Sequence, residues 1–147
     1  MAPTILVITS NIEEQVHLLL LLIAANYHPT CCDSLPSALT ALADTKYDLI
    51  LTDAVILDAP PQKMAAVEFT SLLKETSGNS STPVLVTGAM ISLQHIMDTL
   101  RSGVARFIPK PYTSSELLET IAAELNLSAH LKTRSARIEF QHHAKTL

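Results

Sequence analysis

Glycine is scarce in this chain, with only three in 147 residues. They are Gly78, Gly88 and Gly103, and none stands in the first strand-to-helix turn, Thr9-Ser10-Asn11. A glycine-rich loop cradling a phosphate is therefore excluded there. Cysteine is scarcer still. Cys31 and Cys32 are adjacent, a bridge between neighbours would be strained, and no third cysteine is available. Two thiols of this kind suit a reduced, cytoplasmic setting. Charge is also thin: 16% of residues are charged and the net charge is −4. A general nucleic-acid surface needs clustered Lys and Arg, so this balance argues against one.

Long apolar runs are missing too. The greasiest stretch, Val16 to Ala25, is interrupted by His17 and falls short of the roughly 20 apolar residues that span a bilayer. The start, Met1-Ala2-Pro3-Thr4, has no basic segment before its apolar run, so no secretory leader is expected. His17, His28, His95, His130, His142 and His143 lack the spacing of a zinc site. No internal repeat is visible.

What the chain does have is hydrophobic residues, 48% of the total, with a mean hydropathy of +0.28. A sheet covered by helices on both faces accounts for this, because its strands are apolar on both sides. The pattern alternates accordingly. Thr4 to Thr9 reads as a strand, and Asn11 with Glu14 as a capping box opening a helix to about Ala25. The Val16 to Ile23 leucine run reads as its buried face. Pro29 to Cys32 is a weak second strand. Ser34 and Pro36 open a helix over Ser37 to Ala43. Tyr47 to Thr52 is the third strand, Ala54 to Pro61 a loop, and Met64 to Thr76 a helix. Val84 to Thr87 is the fourth strand, Ser92 caps a helix over Leu93 to Ser102, and Gly103 ends it. Phe107 to Pro109 is a short fifth strand, and Thr113 with Glu116 opens a helix to about Leu125.

Five strands alternating with five helices predict an α/β domain over residues 1–127, with a doubly wound, five-stranded parallel sheet of flavodoxin-like (βα)5 order. Residues 128–147 stand outside that pattern as a C-terminal extension, helical or flexible, holding Lys132, Arg134, Arg137 and Lys145. Ligands of such sheets bind beyond the carboxyl ends of the strands. Thr9, Ser10, Asp53, Gly88 and Lys110 all fall there.

Asp53 ends the apolar run Asp48-Leu49-Ile50-Leu51-Thr52, and Lys110-Pro111 follows Arg106-Phe107-Ile108-Pro109. A carboxylate and an ammonium at neighbouring strand ends suit phosphoryl chemistry. The joint order of Asp53, Lys110-Pro111-Tyr112 and Thr113-Ser114-Ser115-Glu116-Leu117 resembles the receiver domain of bacterial two-component response regulators, over roughly Thr4 to Leu125. The resemblance implies that Asp53 is the phospho-acceptor and that Lys110 contacts the phosphoryl group. It also implies a cis Lys110–Pro111 bond and a switch aromatic at Phe107.

Three features depart from that family. Two acids at the end of the first strand usually hold Mg²⁺, and here Thr9 and Ser10 stand in their place. Magnesium requires charged oxygen ligands, so the degenerate set Thr9, Ser10 and Asp53 is expected to bind it weakly or not at all. The fourth strand usually offers a hydroxyl to the phosphoryl group. Counting back from Lys110 places Gly88 at that position, with Thr87 facing the core, and a one-residue slip would exchange them. The segment after Asp53 lacks a glycine, and its Asp58 reads as a solvated loop residue.

The resulting expectation is a non-enzymatic, cytoplasmic phosphorelay module, atypical in its weak or absent Mg²⁺-dependent phosphorylation, acting through protein contacts. A conventional phospho-acceptor on Asp53 is the alternative, and a small-ligand or nucleotide binder is a third reading. The resemblance implies as partners a histidine kinase or phosphotransfer protein, and an output protein or domain. The latter would use the face formed by Leu93 to Ser102, Arg106 to Pro109 and Thr113 to Leu125. A second copy of the chain is a further partner to consider. No direct nucleic-acid or membrane contact is expected.

Overall fold

The computed structural model describes residues 2–57, 63–75, 78–89 and 92–145. The chain runs β1 (Thr4–Ile8), α1 (Ile12–Ala24), β2 (His28–Cys32), α2 (Leu35–Asp44) and β3 (Leu49–Asp53). It continues through β4 (Val55–Leu57), β5 (Lys63–Ala65), α3 (Ala66–Glu75), β6 (Val84–Ala89), α4 (Leu93–Arg101), β7 (Arg106–Lys110) and α5 (Ser114–Lys145). Five strands form one parallel sheet in the order β2-β1-β3-β6-β7. This is the flavodoxin-like order, with a topological switch point between β1 and β3.

The strands are apolar on both faces because both faces are covered. Ile5, Val7, Leu49, Leu51, Leu85 and Ile108 pack against Leu18 and Leu22 of α1 and Leu117 and Ile121 of α5. Leu6, Ile8, Ile50, Val84 and Val86 pack on the other side against residues of α2 and α3, including Leu35, Ala38, Phe69 and Leu73. Complete burial of a side chain such as Leu51 or Phe69 is worth about 1.5–3 kcal/mol. The leucine run of α1 is only half used for this. Leu18 and Leu22 are buried, whereas Val16, Leu20 and Ile23 are exposed together with Ile12.

Local chemistry sets the helix ends. Asn11 Oδ1 accepts from the Glu14 amide at 2.9 Å, and Ser34 forms a capping box with Ser37, so α2 starts two residues earlier than the sequence suggested. Asn26 takes a positive φ of 67° just after α1, the left-handed position that commonly closes a helix. Gly103, with φ of 102°, does the same after α4.

Two elements differ from expectation. The segment after Asp53 is not a plain loop: β4 pairs antiparallel with β5, and α3 begins only at Ala66. Val55 and Ile56 are β-branched residues that favour extended backbone, and Ile56 stands opposite Met64 in the pair. Asp58 lies outside the described residues. The last helix does not stop near Leu125 but continues unbroken to Lys145. The stretch Asn126 to Lys145 contains no Pro or Gly to end it.

Candidate functional site

The period-two alternation of strands builds the site. On the face covered by α1 and α5, Ile5 and Val7 are followed by Thr9, Leu49 and Leu51 by Asp53, Leu85 by Thr87, and Ile108 by Lys110. Each series leaves the core at the carboxyl end of its strand and delivers a polar side chain. The four side chains meet.

Lys110 Nζ donates to Asp53 Oδ1 at 2.9 Å. Thr9 Oγ1 donates to Asp53 Oδ2 at 2.6 Å, and Thr87 Oγ1 lies 3.4 Å from Asp53 Oδ1 in a long hydrogen bond. Asp53 thus receives a donor from the end of each adjacent strand, β1 and β6, and one from β7 beyond β6. A cleft of about 290 Å³ opens on this cluster, lined by Ser10, Asp53, Ala54, Val55, Thr87, Gly88, Ala89 and Lys110. The Lys110–Pro111 peptide bond is cis.

The expected roles of Thr87 and Gly88 need correction. Asp53 pairs directly with Thr87 across β3 and β6, which places both side chains on the same face. Thr87 is buried, but its hydroxyl points to the carboxylate rather than into the core. The interval counted back from Lys110 is one residue short, and the connection through α4, unconstrained by register, absorbs the difference. Gly88 turns to the opposite face. A Cβ there would lie 2.8 Å from the Ala54 Cβ and 3.8 Å from the Phe107 ring. Its backbone still lines the cleft. Phe107 is half-buried and packs on the α2 and α3 side of the sheet, away from the carboxylate.

Glu14 was hidden in the sequence by a second plausible role. Its amide takes the Asn11 cap, but its carboxylate does not complete a capping box. It accepts instead from Lys110 Nζ at 3.2 Å. The Asn11 amide donates to Thr9 Oγ1 at 3.3 Å, and Gln15 Nε2 donates to the Thr9 carbonyl at 2.6 Å, so the first turn of α1 is tied to the end of β1. The one signal in the sequence was an acid in the first turn of α1, after a strand end that carries none.

Burial acts to lower the Lys110 pKa, but the hydrogen bonds and charges of Asp53 and Glu14 outweigh it and raise the pKa. Beside it, burial and the Glu14 charge push the Tyr112 phenol up against the opposing charge of Lys110. Glu14, His17, Lys110, Pro111 and Tyr112 line a second groove of about 460 Å³. Lys110 therefore forms part of the wall of both spaces.

A magnesium ion is a poor match for these groups. Among the described residues Asp53 is the one carboxylate lining the cleft, and its oxygens already accept from Lys110, Thr9 and Thr87. Hydroxyls coordinate without neutralising a divalent charge. Among the described residues no group of three or more His, Cys, Asp or Glu side chains could hold a metal ion. No helix among them is long and apolar enough to cross a membrane.

A family model described as the response regulator receiver domain matches residues 4–122. Among curated proteins, the sensory/regulatory protein RpfC of Xanthomonas campestris pv. campestris is 30% identical over 104 residues. That match covers 69% of this chain but only 14% of RpfC. The chemotaxis response regulator CheY4 of Vibrio cholerae superposes with a TM-score of 0.75 at 20% identity, over 84% of this chain and 99% of that one. The receiver domain of the sensor histidine kinase PA1611 of Pseudomonas aeruginosa, solved with magnesium in its active-site cleft, gives a TM-score of 0.73 at 18% identity, over 86% and 99% of the two chains.

Proposed function

Since this chain belongs to the response regulator receiver domain family, we propose that it is an atypical member whose Asp53 keeps the acceptor position but is phosphorylated weakly. The observation that carries this reading is the neutral hydroxyl of Thr9 bonded to Asp53 at 2.6 Å, where the resemblance calls for a metal-binding acid. Without that acid Lys110 is the one cation among the described residues of the cleft to meet the charge of an incoming phosphoryl group. The magnesium seen in the PA1611 receiver would bind weakly here for the same reason.

Transfer would proceed by attack of an Asp53 carboxylate oxygen on the phosphorus of a phosphohistidine. The P–N bond breaks, its electron pair returns to the donor imidazole, and an acyl phosphate forms on Asp53. Lys110 would neutralise part of the charge on the transferring group, and Thr87 would donate to one of its oxygens. On this reading the protein is not itself an enzyme. It works in the cytoplasm, receives its input from a histidine kinase or phosphotransfer protein, and passes it on by contact. The output face would be α4, β7 and the first turns of α5. Leu93, Met97 and Leu100 are exposed along one side of α4, at a spacing that suits a partner helix.

The hydroxyl of Thr87 favours a second reading, in which Asp53 is an ordinary acceptor that tolerates the changes on β1. One experiment separates the two. The protein is incubated with phosphoramidate, with and without Mg²⁺, and weighed intact. The atypical reading expects little added phosphoryl mass and little dependence on the metal. Strong magnesium-dependent labelling that vanishes in Asp53→Asn would overturn it.

A further inference from the structure

The ammonium of Lys110 is divided between two carboxylates on different elements. It lies 2.9 Å from Asp53 Oδ1 at the end of β3 and 3.2 Å from Glu14 Oε2 on α1. All three side chains are largely shielded, with relative exposures of 34% for Lys110 and 19% for each acid. Glu14 reaches this position from a fixed base, because Asn11 and Gln15 bind the first turn of α1 to Thr9. The arrangement carries one negative charge overall, and Glu14 takes one of the three Lys110 donors and draws the ammonium away from where a phosphoryl group on Asp53 would lie.

We propose that Glu14 is a positioning residue that restrains the Asp53 site, holding the Lys110 ammonium on the α1 side and opposing the entry of anionic phosphodonors. This rests on reading Asp53 as the acceptor position, and it adds an internal regulator to that site. The physical basis is charge and geometry together. A unit negative charge a few ångströms from an incoming anion repels it even at the moderate effective dielectric of a protein surface. An ammonium bonded to both acids has only one of its three donors left for a phosphoryl oxygen, and its charge is shared between two carboxylates. Exchanging Glu14 for a neutral isostere removes both obstacles. The raised pKa of Lys110 agrees with two acidic partners.

The test compares the full chain with Glu14→Gln by two measurements. The first is the side-chain NMR signal of Lys110, assigned through Lys110→Arg, which reports whether Glu14 holds the ammonium. The second is the rate of phosphoryl addition to Asp53 from phosphoramidate, followed by intact mass, with Glu14→Gln/Asp53→Asn as the blank. In this reaction the P–N bond breaks, ammonia leaves with a proton from solvent, and the acyl phosphate forms on Asp53. The expected result is a displaced Lys110 signal and labelling faster by about tenfold, most clearly at low salt. An unmoved Lys110 signal overturns the proposal, and so does a displaced signal with labelling unchanged, slower or absent in both chains. Strong magnesium-dependent labelling of the parent would count against the atypical reading alone, and a still faster Glu14→Gln would leave the restraint standing. A melting curve for each variant excludes loss of fold as the cause.

Discussion

Thr9 donates its hydroxyl proton to Asp53 at 2.6 Å, so the end of β1 gives the carboxylate a hydrogen bond but no charge. Restoring charge there should restore a metal site. Thr9→Asp combined with Ser10→Asp is expected to bind Mg²⁺ at least about tenfold more tightly than the parent, since carboxylates are the ligands magnesium demands. Titration calorimetry at low ionic strength measures the difference. Equal affinities would mean that Lys110 or Glu14, rather than the missing acids, excludes the ion.

The ion pairs of Lys110 predict a particular pH dependence. Its partners raise the folded-state pKa above that of the unfolded chain. The stability they contribute is therefore fully present below the unfolded lysine value of about 10.4 and is lost as pH rises through the higher folded value. The stability difference between the parent and Lys110→Met, from urea unfolding, should stay level from neutral pH to about 9 and shrink only above the ordinary lysine range. A difference that already declines near neutrality would show that another group governs it.

Gly88 should resist enlargement for a reason that can be reversed. Its added Cβ would meet the Ala54 Cβ at 2.8 Å, far inside normal contact. Gly88→Ala is expected to lower stability by about 1–3 kcal/mol, the usual cost of overpacking. Ala54→Gly in the same chain should recover most of that loss, as neighbouring sites couple. Thermal or urea melts of the two single variants and the pair provide the measurement.

Asn79 is a buried polar hub. Its Nδ2 donates to the carbonyls of Leu42 and Thr45 at 2.9 Å each, and its Oδ1 accepts from the Tyr47 amide and the Thr82 hydroxyl. These bonds join the end of α2 to the turns before β3 and β6. Asn79→Ala leaves several buried groups unpaired and is expected to cost about 2–4 kcal/mol. Urea unfolding should register this as a lower midpoint with an unchanged slope.

The sheet was legible in the sequence because covered parallel strands read as unbroken apolar runs. Asp53 and Lys110 were legible because each ends such a run. Thr87 was misplaced because register depends on which residues pair across the sheet, and an interval measured through the α4 connection carries no such information. Glu14 was obscured because a residue at the third position of a helix can either complete a cap or reach a neighbour, and the choice is made by a lysine 96 positions away. The pairing of β4 with β5 was missed because strands of three residues are too short to show any period. The extent of α5 stayed open between a helical and a flexible extension because beyond Leu127 only Leu131, Ile138 and Phe140 offer a weak apolar stripe.

The root of α5 lies close to the site, since Ser114 comes four positions after Lys110. From there the helix runs 32 residues, about 48 Å at 1.5 Å per residue. A rod of that length is a lever. Leu117 and Ile121 hold its first turns in the core, so the pivot lies beyond them, and a tilt of about 5° there carries the far end, roughly 36 Å away, through about 3 Å. Whatever lies beside Lys145 would feel small adjustments at Lys110 as displacements of ångströms, magnified by length alone.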